Sequence, residues 1–415
     1  MSAGEGLDLA RLRAETPGCA TVLHLNNAGA ALQPRPVYEA VTAHLAREYA
    51  TGGYEARDEA AGRIEAAYAS VARLLGAAPD EIAIVENATR ALDMGFHAIP
   101  FAPGDVVYTS VAEYASNYLA YLRAREQAGI AIRVVPNDAH GQLDVAALDA
   151  LLADPGPGRR ARLVAVSHVP TQSGLVQPAA AIGAAAKRHG ALYLLDATQS
   201  AGQLPLDVDD LGCDLLCSTG RKYLRGPRGV GFLYVRRAVL PDLQPPFIDL
   251  HAARWTTFDA YEWRPDARRF ENWESNIAAT LGLGAAVDYA LALGVERTWP
   301  RVRALAAWLR DALRAVPGVT VQDRGETLCG IVTFTAAGRD PEDLKAALRR
   351  RADRPDGTTA ARPINVTTST TASSLFDFAA RDVISWVRAS VHYYNTEGEL
   401  AEFVEAVGEL AVVSR

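Results

Sequence analysis

The stretch LDATQSAGQLPLDVDDLGCDLLCSTGRKYLRGPRGVGFLYV, Leu195 to Val235, decides how this chain folds. It takes in the end of one apolar run (ALYLLDA), a second run (CDLLCSTG) and a third (GVGFLYVR). The runs are continuous and do not alternate with polar residues. That pattern suits strands buried on both faces of a mostly parallel sheet. Asp196 closes the first run and Lys222 follows the second. The chain has three lysines, Lys187, Lys222 and Lys345, against 39 arginines. Lys187 falls in the last turn of a predicted helix, where a cation suits the dipole. Lys345 lies on the polar face of another helix. Lys222, at a strand end, has no such ordinary role.

Working outward, the same alternation recurs upstream. EIAIVE precedes a predicted helix from near Thr89, and GDVVYTS one from about Ser116. IAIRVVPND precedes Asp144–Leu152, and ARLVAVSHV precedes Pro178–His189. Strand after helix predicts an α/β fold with helices over a mostly parallel sheet. Ahead of it, TVLHLNNAGAAL reads as a short strand and a small-residue turn. Helices then start at Pro36 and near Asp58, the second stopping at Gly76. After Arg237 the alternation weakens. An aromatic stretch (Pro241 to Pro265) is expected to line the substrate approach or to form a surface loop. A long helical region from Asn276 to about Ala315 leads into a second, smaller α/β unit. The expected division is an N-terminal segment over the active site (1–35), a large domain (36–285) and a small domain (286–415).

Composition narrows the function. The net charge of −7 over 415 residues comes from interleaved acids and bases, with no charged tail. Neither nucleic acid nor a membrane is the expected partner. No apolar run reaches the length of a membrane span, and the first residues lack a secretory layout. The four cysteines show no metal or redox spacing, so free thiols and a cytoplasmic location are expected. The eight histidines show no ligand spacing, and no metal is predicted.

In open α/β sheets ligands sit beyond the carboxyl ends of the strands. Those ends carry Asn87-Ala88-Thr89-Arg90, Glu113-Tyr114, Thr171-Gln172, Asp196-Ala197-Thr198-Gln199 and Thr219-Gly220-Arg221-Lys222. A strand-end aspartate followed by a lysine suits pyridoxal 5'-phosphate. That cofactor needs an amine for its aldehyde and a carboxylate for its ring nitrogen. A helix opening at Ala88-Thr89 supplies N–H groups for a phosphate, with Thr219 and Arg221 beside it.

These residues resemble the class V aminotransferase branch of fold-type I pyridoxal-phosphate enzymes, the branch of cysteine desulfurases, kynureninase and isopenicillin N epimerase. The opening quotation matches its signature almost continuously, and the resemblance runs from about Leu25 to Gly408. It implies that Lys222 carries the cofactor, Asp196 faces the pyridine nitrogen and Gln199 meets the phenolic oxygen. Tyr114 stacks on the ring. Ala88, Thr89, Thr219 and Arg221 hold the phosphate, and Thr171 stands where asparagine is usual. Arg388 in WVRASVHYYNT grips the substrate carboxylate, and Asn27-Ala28-Gly29 passes over the substrate. Trp273 and Glu274 reach the neighbouring subunit's phosphate in a homodimer.

Two departures point away from a sulfur-relay desulfurase. The loop that carries the persulfide cysteine in desulfurases reads RPINVTTSTTASSLFDF here, with no cysteine. The Ser-x-His-Lys of desulfurases is Thr219-Gly220-Arg221-Lys222. With HLNNAGAAL and HVPTQSG, these variants resemble ergothioneine-pathway carbon–sulfur lyases that cleave hercynylcysteine sulfoxide. They also resemble antibiotic-pathway (lincosamide) enzymes acting on S-glycosylated cysteine. The implied activity is a β-lyase releasing a thiol or sulfenate, pyruvate and ammonia from a cysteine conjugate. Decarboxylating deamination, epimerisation or transamination of such a substrate is the alternative, and a non-catalytic binding protein is the third reading.

Overall fold

The computed structural model describes residues 6–351 and 362–412, so the expected first and last units extend beyond the described residues. The apolar runs form seven strands. They are β1 (Ile82–Val85), β2 (Asp105–Ser110), β3 (Ala131–Val135), β4 (Arg160–Ser167), β5 (Leu192–Asp196), β6 (Leu215–Thr219) and β7 (Gly231–Val235). Their spatial order is β1-β7-β6-β5-β4-β2-β3. All neighbours are parallel except β7, which runs antiparallel to both β1 and β6. The connection from β6 to β7, residues 220–230, is too short for the crossover a parallel neighbour needs. The chain therefore turns back directly, and that turn holds Lys222.

Both sheet faces are buried, as continuous apolar strands require. In β4, Val164 and Val166 face one core while Leu163 and Ala165 face the other. Truncating Leu163 to alanine costs about 2–5 kcal/mol where it leaves a cavity. Helix α1 (Ala88–His97) follows β1 and helix α2 (Ala115–Ala128) follows β2, as the alternation predicts. Asn87, not Thr89, caps α1, accepting from Arg90 N at 2.9 Å.

Four further strands, β8 (Val319–Val321), β9 (Ile331–Ala336), β10 (Thr367–Thr370) and β11 (Ser385–Ser390), make an antiparallel sheet of order β8-β9-β11-β10. Its core joins Val332, Phe334, Val387 and Ala389 to Leu305 and Leu309 of one helix and Phe403 of the last. Leu23–His24 pairs in parallel with Ile364–Asn365, and Leu12, Leu23 and Leu25 enter this second core. The N-terminal segment thus belongs by packing to the end of the chain.

Two segments differ from the sequence reading. The long helical region is two helices, Ile277–Leu293 and Val295–Arg314, bent by 81° at Gly294. Gly294 has φ +79°, which ends the first helix and re-aims the second. The aromatic stretch contains a hairpin, Ala253–Thr257 with Ala260–Trp263, whose Trp255 and Phe258 are exposed. Its strands lack the Asn-Gly or Asp-Gly turn that would have signalled it. Among the described residues no single helix is long and apolar enough to cross a membrane.

Candidate active site

The carboxyl ends of β1, β2, β4, β5 and β6 border one cavity of about 490 Å³. It is lined by Ala88, Thr89, Tyr114, Thr171, Asp196, Gln199, Thr219, Arg221 and Lys222. Glu86, Asn117, Ser167, Thr198 and Arg228 line it too. None of the aromatic stretch between Pro241 and Pro265 is among its lining residues.

Asp196 and Lys222 are both buried. Asp196 takes two N–H donors, Asn117 Nδ2 and the backbone of Thr198, each at 2.9 Å. These hydrogen bonds fix the carboxylate without cancelling its charge. Burial holds the Lys222 amine well below the ordinary lysine range, aided by Arg221 and Arg388 and opposed by Asp196. An uncharged amine is the nucleophilic form. The turn carrying Lys222 packs on Gly202, whose φ is +80° and whose added Cβ would lie 2.7 Å from Leu224 N. Only glycine allows that approach.

From the antiparallel sheet, Arg388 of β11 reaches the cavity wall at Thr171. Its Nη1 donates to Thr171 O at 2.6 Å and Thr171 Oγ1 at 2.8 Å, and its Nη2 lies 3.5 Å from Asn26 Oδ1. Burial pulls the Arg388 guanidinium down to about 10. Gln199 Nε2 donates to Thr171 Oγ1 and to Ala28 O, both at 3.0 Å. Arg221 Nη1 donates to Gly29 O, and Ala31 N donates back to Arg221 O at 3.0 Å. The N-terminal turn is thereby tied to the lysine loop.

Of the expected site residues, Asn27, Ala28, Gly29, Arg388, Trp273 and Glu274 are not among the lining residues. Asn27 is fully buried, donating to Ser390 O at 2.7 Å and accepting from the Tyr394 hydroxyl, so its side chain supports the turn from behind. Trp273 and Glu274 border a separate recess with Tyr54 and Arg57 and do not line the cavity. The Thr219 hydroxyl is engaged by Val230 O at 3.2 Å.

Asn117 and Arg225 are absent from the sequence reading, which names Glu113 only as a strand-end residue. Glu113, just before the cap Tyr114, and Asn117, in the first turn of α2, form a buried network. Their spacing across a helix start after a strand is the available signal. Arg225, with φ +63°, is buried among Tyr289, Tyr393 and Tyr394 and donates to Leu32 O and the Tyr393 hydroxyl. It ties the lysine loop to both chain ends. No linear motif announces such a cage.

The family profile described as Aminotransferase class-V matches residues 23–403. The chain belongs to the aminotransferase class-V family. The chain is 30% identical to a probable cysteine desulfurase of Methanothermobacter thermautotrophicus, over 96% of this chain and 97% of that one. A cysteine desulfurase of Escherichia coli superposes with a TM-score of 0.86 at 25% identity, covering 98% of this chain and all of the other. An apo cysteine desulfurase of Thermococcus onnurineus gives 0.85 at 26% identity, covering 97% and 98%. The α/β fold is accordingly fold-type I.

The cofactor of this family's enzymes is pyridoxal 5'-phosphate, and the site of this class-V enzyme fits it. Thr198 Oγ1, Gln199 Oε1 and Arg388 Nε are buried polar atoms without a protein partner. Buried polar groups of that kind ordinarily have one. The donor set supplies an amine whose charge burial disfavours, a buried carboxylate and the N-terminus of the ten-residue helix α1.

Proposed function

We propose that this class-V enzyme is a carbon–sulfur β-lyase acting on an S-substituted cysteine. It would release a thiol or sulfenate together with pyruvate and ammonia. The observation that carries the reading is the segment beside Tyr114. Ser373 O accepts from Ala115 N at 3.0 Å, so the stretch Arg362–Phe378 packs against the start of α2, next to the cavity residue Tyr114. Desulfurases carry their relay cysteine on that stretch, and here it holds threonine and serine. Cys19, Cys213, Cys217 and Cys329 are all buried. A chain with no exposed thiol to accept sulfur must let the sulfur leave with its substituent.

When bound, the cofactor supplies an aldehyde for the substrate amine and a ring that withdraws electrons from Cα. Lys222 would bind that aldehyde, with Asp196 at the ring nitrogen and Tyr114 against the ring. Ala88, Thr89, Thr219 and Arg221 would hold the phosphate, and Gln199 and Thr171 the phenolic side. Arg388 would hold the substrate carboxylate through the Nε–Nη2 edge that Thr171 leaves open. Lys222 Nζ, once free and uncharged, takes the proton from Cα. The Cα–H electron pair becomes the Cα–Cβ double bond, and the Cβ–S pair leaves with sulfur. Lys222 gives that proton to the departing sulfur, and water hydrolyses the remaining three-carbon enamine to pyruvate and ammonia. The turn Asn27-Ala28-Gly29, held by Gln199 and Arg221, excludes solvent from the carboxylate side.

The fine substrate assignment, a hercynylcysteine sulfoxide or an S-glycosyl cysteine, rests on the resemblance of the lysine motif and the N-terminal turn. Incubating the holoenzyme with a panel of cysteine S-conjugates tests it, with mass analysis of both fragments. Pyruvate in equal amount to the released thiol or sulfenate is expected. Carbon dioxide without pyruvate would replace elimination by decarboxylating deamination, and no turnover of any conjugate would sink the lyase reading.

We also propose that residues 36–285 and 286–415 act as large and small domains under the 1–35 segment, and that two copies pair. Exposed Tyr49, Tyr54, Trp255, Phe258 and Trp273 support pairing, as does the recess bordered by Trp273 and Glu274. Free buried thiols suit a cytoplasmic location.

A further inference from the structure

Glu113 is a buried carboxylic group with no assigned task. It follows β2 directly, and each element around it presents a polar group. Oε1 accepts from Tyr114 N at 2.8 Å, Asn117 Nδ2 at 2.9 Å and Ser167 Oγ at 2.6 Å. Oε2 meets only the Thr109 hydroxyl, at 2.8 Å. That asymmetry is informative. Two of the Oε1 donors are amide N–H groups that cannot become acceptors, whereas a threonine hydroxyl can rotate to accept. A proton on Oε2, donated to Thr109, satisfies every contact.

The charged neighbours agree. The titratable groups facing Glu113 are Asp196 from β5, Cys217 from β6 and Tyr121 from α2. No cation is among them. Asn117 Nδ2 donates to both Glu113 Oε1 and Asp196 Oδ2, so one amide joins two buried carboxyl groups. Two such groups sharing a dry site do not both carry charge readily.

We propose that Glu113 is a positioning residue that stays protonated in the folded enzyme up to neutral pH, holding Asn117 and the Tyr114 backbone while leaving the single negative charge to Asp196. The inference rests on the cofactor reading and is independent of which bond the enzyme breaks. Burial, reinforced by the charge of Asp196, moves the Glu113 carboxyl up to about 7, against the opposing hydrogen bonds from Ser167, Tyr114 N and Thr109. The unfolded chain releases this proton near 4.5 and the folded chain near 7. Ionisation therefore removes stability as pH rises through that window.

Glutamine reproduces the protonated acid, with an oxygen for the three donors and an NH₂ for Thr109. E113Q holoenzyme is expected to keep its cofactor affinity within about two-fold, as hydrogen bonding is preserved. It should also lose one protonated-carboxyl stretch in the infrared difference against wild type, and gain in Tm over wild type as pH rises through that window, the gain being complete on its alkaline side. E113L, which strands the Tyr114 N–H and the Asn117 amide, should weaken cofactor retention by about ten-fold or more and shift its visible absorption. Three results would overturn the proposal: no infrared loss in E113Q, a Tm difference independent of pH, or cofactor loosening in E113Q equal to that in E113L. Absence of the visible band from wild type itself would instead sink the cofactor reading.

Discussion

The floor and the roof of the cavity are built on opposite terms. The floor, at the carboxyl ends of the parallel strands, is closed around Asp196, with Thr198 Oγ1 and Gln199 Oε1 at its edge left without a partner. Asp196, Asn117, Glu113, Ser167 and Thr109 satisfy one another in a single hydrogen-bonded chain. The roof is the layer of Arg388 and the turn at residues 26–30. It meets the cavity through Thr171, Gln199 and Arg221, is not itself among the lining residues, and is left open. Arg388 Nε has no partner and its Nη2 only a long contact with Asn26. A closed network fixes charge at one point, as a resident cofactor requires, whereas an open one leaves donors for a substrate that comes and goes. Changes in the floor should therefore act on the chemical step, and changes in the roof on substrate binding.

The largest effect belongs to the lysine between them. Lys222→Ala should abolish pyruvate formation, by about 10³-fold or more since covalent and proton-transfer roles are both lost. Borohydride trapping followed by peptide mapping should place the cofactor tag on residue 222 in wild type and find none in the variant. A tag elsewhere would break the whole assignment.

In the floor, Asp196→Asn keeps the shape and removes the charge. A fall in kcat of about 10²–10³-fold with little change in KM is expected, since a preorganised charge is lost. In the roof, Arg388→Lys removes the planar fork but keeps the cation. Loss of charge-assisted hydrogen bonds worth about 1.5–3 kcal/mol should raise KM about ten- to a hundred-fold. Should steady-state kinetics show the reverse split, the contrast between floor and roof is wrong. Thr171→Val removes the hydroxyl that accepts from Arg388 Nη1 and Gln199 Nε2 but leaves Nη1 its bond to the residue-171 carbonyl. It should change KM by only about five-fold, at about 1 kcal/mol for a lost hydrogen bond.

The smallest expected effect on catalysis lies beneath the floor. His168, bonded to Ser200 Oγ at 3.1 Å, is held uncharged by burial, its ring brought down to about 4 from 6.5. The unfolded chain gains the proton near 6.5, so acid removes stability between those values. His168→Gln should leave kcat near wild type at neutral pH. It should also flatten the fall of Tm with acid, an effect of up to about 3 kcal/mol.

Much of this was legible in the chain. Seven unbroken apolar runs predicted the buried sheet, and the lone strand-end lysine predicted the site, because burial on both faces and rare chemistry each leave a local trace. The Gly294 bend and the exposed hairpin were missed, since neither follows from a period or a turn signature in its own segment. Asn27 was read as facing the substrate because the turn does. Its side chain instead meets Ser390 and Tyr394.

The sequence by itself determined the family, the fold class and the lysine–aspartate pair, which sit within one continuous stretch and answer to nearest-neighbour rules. Only the tertiary structure decided that the Arg388 fork is half engaged by Thr171, that Arg225 binds the lysine loop to both chain ends, and that Glu113 shares an amide with Asp196. Those contacts join residues far apart along the chain. Their energies depend on distance and dehydration in three dimensions, which no local pattern of residues records.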